Sequence, residues 1–270
     1  MPLDSVKKSY GTVKAHKPGM PLRPICSSIN SVSSGAEKYI LKILKPIEKL
    51  FEFTINSTKN FQKYFLENRH KFDPSVHEII SIDCVSLYTS VNVNMVIKEL
   101  ITEIYKSPEK YFEFGEDDLS NFGVKPRIPT SLVFKNFLFQ ILLKFNYFST
   151  VAGHYKQKDG LSMGSSISPL LANFYVSLME KKIVKKEINK GNIIAYCRYV
   201  DDGFCIIRKD KKEKILKLIN NFDPDFLKFT HENMTNNSLT YLDTKIYINS
   251  QNVPEIKKYR KETASDVIIN

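Results

Sequence analysis

Cys197 to Arg208 reads CRYVDDGFCIIR, and this stretch decides the fold. Two short apolar runs flank a pair of adjacent carboxylates, Asp201 and Asp202, followed by Gly203. Gly191-Asn192 is a turn signal before the first run, so the spacing predicts strands over 193–199 and 203–208 with the aspartates in the turn between them. Adjacent carboxylates repel, and holding them in a tight hairpin costs energy unless a cation sits there. Hard divalent ions take carboxylate oxygens and keep positions open for phosphate. The alternative is an Asp-Asp-Gly turn selected only for its turn chemistry.

A second stretch, Ser81 to Tyr88 (SIDCVSLY), places Asp83 at the carboxyl tip of a predicted strand over 78–84 (EIISIDC). Alone, Asp83 reads as a helix or turn cap. Together with the doublet it makes a two-metal phosphoryl-transfer site, in which two ions about 3.5–4 Å apart stabilise attacking and leaving oxygens. Asp83 and Asp201 would bridge the ions, and Asp202 would support the pair. Between the two stretches lies Asp159 to Tyr175, DGLSMGSSISPLLANFY. Here a glycine-containing loop precedes Ser168-Pro169, which suits the first turn of a helix. Gly164 would let the backbone make a close approach there.

The rest of the chain supplies a mixed order of elements. Residues 10–34 read as short strands and loops with basic tips, and 35–72 as helix with a break near Pro46. Helices are predicted over 92–106, 131–145, 169–190 and 210–221. A hairpin turning at Gly153 covers 146–157, and two final strands cover 226–232 and 239–248. Phe61 and Phe65 recur at helical spacing and are expected in the core. The order lacks the regular strand–helix alternation of a doubly wound sheet, so the expected class is α+β.

The 270 residues include 40 Lys and Arg against 29 Asp and Glu, a formal charge of +11 that favours a polyanionic partner. Apolar residues make up 42%, which excludes wholesale disorder. Cys26, Cys84, Cys197 and Cys205 show no zinc-ligand spacing and read as free thiols of an intracellular chain, in nucleus or cytoplasm. The N-terminal MPLDSVKKSYG lacks the apolar core of a signal peptide. The most apolar stretch, Leu132 to Phe145, is too short to span a bilayer and is cut by Lys135, Asn136 and Lys144, so no membrane association is expected.

Tyr199-Val200-Asp201-Asp202 resembles the Tyr-x-Asp-Asp box of reverse transcriptases, and Asp83 then resembles the lone aspartate of their first palm motif. The ordered set goes further. The His16-Lys17-Pro18-Gly19 run with Arg23-Pro24-Ile25, SLYTSV (86–91), DGLSMGS (159–165), RYVDD (198–202), FLKFTHE (226–232) and LTYLDTKI (239–246) resemble the reverse transcriptase of Penelope-like retroelements.

The resemblance covers residues 10–248 and implies a right-hand fold with fingers and an antiparallel palm sheet backed by helices. Fingers would occupy 1–75, and the palm 76–250 with an inserted fingers segment at about 107–157 (a division read by analogy). Residues 251–270 would be a tail or the start of a thumb. It implies an RNA-directed DNA polymerase that uses two Mg²⁺ ions, with Mn²⁺ able to substitute, and binds an RNA template, a DNA primer and deoxynucleoside triphosphates.

The family places an aromatic residue where Tyr88 stands. Its ring would clash with a ribose 2′-hydroxyl and so select deoxynucleotides; a half-buried aromatic at a strand end is the competing account. Arg23 would hold the incoming triphosphate through its planar guanidinium, and Lys14 and Lys17 compete for the accompanying lysine role. Lys228 falls where a lysine protonates pyrophosphate, and Leu242-Asp243 would lie in the hairpin that grips the primer. Ser166 stands where proline is more usual in the family, and Gly203 where threonine is common; neither position is a metal ligand. No helical thumb and no downstream endonuclease module is evident in the chain.

Two other functions compete. Gly160-Leu161-Ser162-Met163-Gly164 fits the Gly-x-Ser-x-Gly elbow of serine hydrolases, with Asp201 and His231 following in chain order. The elbow needs a buried apolar strand before it, and 155–159 is polar. The other competitor is a catalytically silent RNA-binding module on the same palm.

Overall fold

The computed structural model describes residues 6–13, 19–112, 128–144 and 146–260. The chain divides into two compact units, one drawn from residues 1–13, 22–51 and 88–175, the other from 14–21, 52–87 and 176–270.

The first unit is built on a four-stranded sheet. β1 (Lys7–Val13) pairs antiparallel with β2 (Leu22–Ser27) and parallel with β4 (Tyr147–Thr150), and β4 pairs antiparallel with β5 (Gly153–Lys156). Helix α1 (Ser33–Leu44) runs into a 3₁₀ turn at Lys45–Leu50, where Pro46 ends the regular hydrogen bonding. Helix α3 (Val93–Ile104) is capped by the Asn92 side chain and buries Val96, Ile97, Leu100 and Ile104 on one face. Helix α4 (Ser131–Phe139) is capped by Thr130.

The second unit carries a sheet of order β6-β7-β3-β8, antiparallel throughout: β3 (His77–Cys84), β6 (Ile193–Tyr199), β7 (Asp202–Arg208) and β8 (Phe229–Asn233). Helix α2 (Thr58–Asn68) sets Phe61 and Phe65 into a core with Ile79, Ala195, Cys197, Phe204 and Ile206 from this sheet. Each fully buried phenylalanine contributes about 2–3 kcal/mol by leaving water. Helix α5 (Ser168–Met179), whose residues up to Tyr175 belong to the first unit, widens into a π turn at Glu180–Val184 and continues as α6 (Lys185–Asn189). Helix α7 (Lys212–Asn220) buries Ile215, Leu216 and Ile219.

The stretch 239–248, expected as one strand, is two: β9 (Ser238–Tyr241) and β10 (Thr244–Ile248) form a hairpin turning at Leu242-Asp243. The strand-prone pattern alone hides this turn, which the family resemblance places in a hairpin, and in it Leu242 takes the left-handed φ of 51°. After residue 250, β11 (Pro254–Lys258) pairs with β10 to complete a three-stranded sheet.

All four cysteines are free and buried. Among the described residues no helix is long and apolar enough to cross a membrane.

Candidate active site

Asp83 and the adjacent pair Asp201-Asp202, far apart in sequence, are carried to one end of the β6-β7-β3-β8 sheet. Tyr199 pairs with Asp202, which leaves Val200 and Asp201 as the turn; Asp202 opens β7 instead of lying in the turn. In the adjacent ladder Asp83 is the direct partner of Asp202, and the Cys84 amide donates to the Asp201 carbonyl at 3.1 Å. Strand register therefore sets the three positions side by side. Asp83 and Asp201 are exposed and Asp202 is half-buried. Burial, and then the Asp201 and Asp83 carboxylates, push the Cys84 thiol up to about 12. The Tyr241 hydroxyl donates to the Asp202 carbonyl at 2.8 Å.

Val200 has φ 54°, a left-handed conformation that a β-branched residue adopts rarely. Beneath it Arg198 is 1% exposed and bound to Glu180, also 1% exposed. Its Nε donates to Glu180 Oε1 at 2.6 Å, its Nη2 to Oε2 at 3.2 Å, and its Nη1 to the Val200 carbonyl at 2.6 Å. Neither residue is singled out by motif reading. The available signal is an arginine at an inward position of an apolar strand, three residues before the doublet.

Lys228 is exposed near the same sheet end: its carbonyl accepts from the Val85 amide at 2.9 Å, one residue before Phe229 pairs with Cys84. Leu242 packs on the core cluster, and Asp243 Oδ2 accepts from the Thr58 hydroxyl at 3.1 Å.

The carboxylate donor set suits hard divalent ions such as Mg²⁺. The donors are set by backbone register and not by preformed side-chain convergence, since among the described residues no three His, Cys, Asp or Glu side chains are already gathered around one point.

The first unit holds the other predicted positions. Gly164 has φ 105°, and a Cβ there would stand 2.9 Å from the Cys26 carbonyl oxygen. The loop seats directly on β2, with the Cys26 amide donating to the Met163 carbonyl at 2.6 Å and the Ser28 amide to the Gly164 carbonyl at 3.2 Å. Gly160, at φ 71°, is tighter still: a Cβ would meet the Thr89 carbonyl oxygen at 2.5 Å. The next amide, Leu161, donates to the Tyr88 carbonyl at 2.7 Å, which joins Tyr88 to this loop. Tyr88 is half-buried in a 3₁₀ turn, and Arg23 is exposed on β2 opposite Thr12. Lys14 and Lys17 lie outside the described residues.

A buried ion pair anchors the loop. Lys7 Nζ lies 3.1 Å from Glu37 Oε1, with side chains 6% and 1% exposed. Glu37 Oε2 accepts from the Ser165 hydroxyl at 2.7 Å and from the Ser166 amide at 3.2 Å. Burial alone would raise the Glu37 carboxyl. The Lys7 ammonium and the Ser165 hydroxyl outweigh it and hold the group below its ordinary value.

Ser162 does not sit in an elbow. Its buried hydroxyl contacts Asn146 Oδ1 at 2.9 Å and Gln157 Oε1 at 2.7 Å, amide oxygens that cannot serve as its base.

Residues 15–233 match the family described as reverse transcriptase (RNA-dependent DNA polymerase). No curated protein sequence matches the chain. Among solved structures, apo telomerase of Candida tropicalis truncated of its C-terminal domain is similar, with a TM-score of 0.64, 20% identity, and coverage of 96% of this chain and 56% of the telomerase chain. Candida albicans telomerase, solved with a fragment of telomeric RNA, gives a TM-score of 0.61 at 16% identity over 98% of this chain and 47% of that one. The RNA-dependent RNA polymerase of a human picobirnavirus gives 0.54 at 12% identity over 92% and 46%. The chain thus spans about half the length of these structures. At these identities the likeness is one of fold: antiparallel sheets and helices in the arrangement of polymerase palm and fingers.

Proposed function

The chain belongs to the reverse transcriptase (RNA-dependent DNA polymerase) family, and from that membership we propose that it copies RNA into DNA as the polymerase of a Penelope-like retroelement. The observation that carries the reading is the ladder that pairs Asp83 with Asp202 and ties Cys84 to the Asp201 carbonyl. The order of the other motifs and their wording support the retroelement type. The work would be intracellular, in nucleus or cytoplasm, with fingers drawn from 1–75 and about 107–157 and palm from the rest of 76–250.

In this reading a primer 3′-hydroxyl attacks the α-phosphate of a deoxynucleoside triphosphate and pyrophosphate leaves. Asp83, Asp201 and Asp202 would hold two Mg²⁺ ions, replaceable by Mn²⁺, which when bound acidify a coordinated hydroxyl and take up phosphate charge. Arg23 grips the triphosphate bidentately, assisted by Lys14 or Lys17. Tyr88 presents its ring to the sugar and excludes a 2′-hydroxyl. Gly164 brings backbone close to the nucleotide or template. Lys228 donates a proton to the departing pyrophosphate, and the Leu242-Asp243 turn steadies the primer end. The lysine excess binds backbone phosphates, so affinity falls with salt.

Primer extension on an RNA template, run with deoxy- and ribonucleotides and with Mg²⁺ or Mn²⁺, tests this. The expected result is RNA-templated extension with deoxynucleotides. Tyr88→Ala should raise ribonucleotide use by about 10–100-fold, the range a single steric contact discriminates. Salt-sensitive RNA binding without extension would instead favour the silent module.

A further inference from the structure

We propose that Arg198 and Glu180 are positioning residues that hold the Val200-Asp201 turn in the conformation that presents the carboxylates; this rests on the reading of Asp83, Asp201 and Asp202 as metal ligands. The turn is strained where it matters. Val200 has φ 54°, and a non-glycine residue held there costs about 1–3 kcal/mol unless its surroundings fix it.

On the inner side a guanidinium reaches the turn. Arg198 Nη1 donates to the Val200 carbonyl at 2.6 Å, the contact that fixes the peptide leading into Asp201. Arg198 has no freedom of its own. Glu180 takes its Nε and Nη2, and Nη2 also reaches the Thr54 hydroxyl at 3.3 Å. Glu180 is fixed in turn by the Tyr196 hydroxyl, which donates to its Oε1 at 3.0 Å. Glu180 stands at the start of the π turn, a local widening of the helix of the kind that recurs at functional sites.

Burying such a pair carries a desolvation penalty that apolar side chains of the same size would avoid. Helix-to-sheet packing alone therefore does not require it. What an apolar pair lacks is a third donor aimed at the Val200 carbonyl. A lysine at 198 keeps the charge but loses the planar fork that serves Glu180 and Val200 together.

The test uses the full chain and Mn²⁺ binding followed by electron paramagnetic resonance without nucleotide, together with primer extension and thermal melting. Arg198→Lys is expected to weaken Mn²⁺ binding about tenfold, a change of about 1.4 kcal/mol. Val200→Gly introduced into that variant is expected to restore most of the loss, because glycine adopts positive φ without penalty. A pair that only fastens helix to sheet gives no such rescue. Should Arg198→Lys not fold, Tyr196→Phe, which trims one hydroxyl from Glu180, carries the test by the same readout: weaker Mn²⁺ binding supports the proposal. Wild-type Mn²⁺ affinity in the folded variant, or a double variant no better than Arg198→Lys, overturns it while the wild type still binds Mn²⁺ and extends primers. A wild type that does neither overturns the active-site reading as well.

Discussion

Asp201→Asn should slow RNA-templated primer extension by a factor of about 10³ or more while leaving the fold intact. The amide is nearly isosteric but uncharged, and on the proposed function it would hold a divalent ion far more weakly than the carboxylate. Loss of about 4 kcal/mol of transition-state stabilisation corresponds to about a thousandfold in rate. The fold is insulated from the change because Asp201 is joined to its neighbours by backbone: its carbonyl accepts from the Cys84 amide, and its side chain is exposed. Removing one of two adjacent like charges also relieves repulsion. The melting temperature should therefore stay level or rise slightly. Single-turnover extension alongside a thermal melt measures both. A variant that extends within tenfold of wild type would remove Asp201 from the chemistry.

Lys7→Met should cost the protein about 3–5 kcal/mol, the usual consequence of removing one member of a buried ion pair. The cost arises because Glu37 is left as a buried carboxylate whose partners are the hydroxyls and amide of the 165–166 loop and Ser33. Glu37→Gln should cost less, since an amide oxygen still accepts from those donors. The pH dependence has a definite sign. In the native protein the Glu37 carboxyl lies below its ordinary value. Its contribution is thus complete above the unfolded carboxylate range of about 4.3 and fades as the pH falls through the folded value. Without Lys7 the same carboxyl is left buried and protonates at higher pH, which relieves the penalty. The gap between wild type and Lys7→Met in urea midpoint should narrow on acidification. A gap independent of pH would show that the pair's charge contributes little.

The parts legible in the sequence are those where chemistry and periodicity coincide. The isoleucine run of 79–82 marks a buried strand whose next residue, Asp83, must lie at its tip. The Asp-Asp-Gly triplet between apolar runs marks a hairpin, although the turn itself is Val200-Asp201 and Asp202 opens β7, and the end-on meeting of both carboxylate sites follows once the strands are neighbours. Helices α3 and α4 begin within a residue of the expected 92 and 131, and the regular helix of α1 gives way at the expected break near Pro46.

Pairing across long separations is a different matter. Nothing local distinguishes Lys7, which is buried, from Lys8, which is exposed; the difference comes from the sheet's setting among α1 and the 162–168 loop. Glu180 sits beside Lys181 on what reads as a solvated helix end, yet it points into the core at Arg198. The turn at Leu242-Asp243 is concealed because a leucine, which sequence patterns read as strand, accepts a left-handed conformation there to pack on the core cluster. Strand β11 lacks flanking motifs and becomes evident only as the partner of β10.

The sealed state of the four sulfurs has a practical corollary. Alkylating reagents attack thiolate, and burial raises Cys84, Cys197 and Cys205 far from the ionised form. Iodoacetamide offered to the native chain should modify Cys84, Cys197 and Cys205 only slowly at neutral pH, whereas an opened chain exposes every sulfur at once. Mass added per molecule thus becomes an internal gauge of opening, with no dye or tag attached.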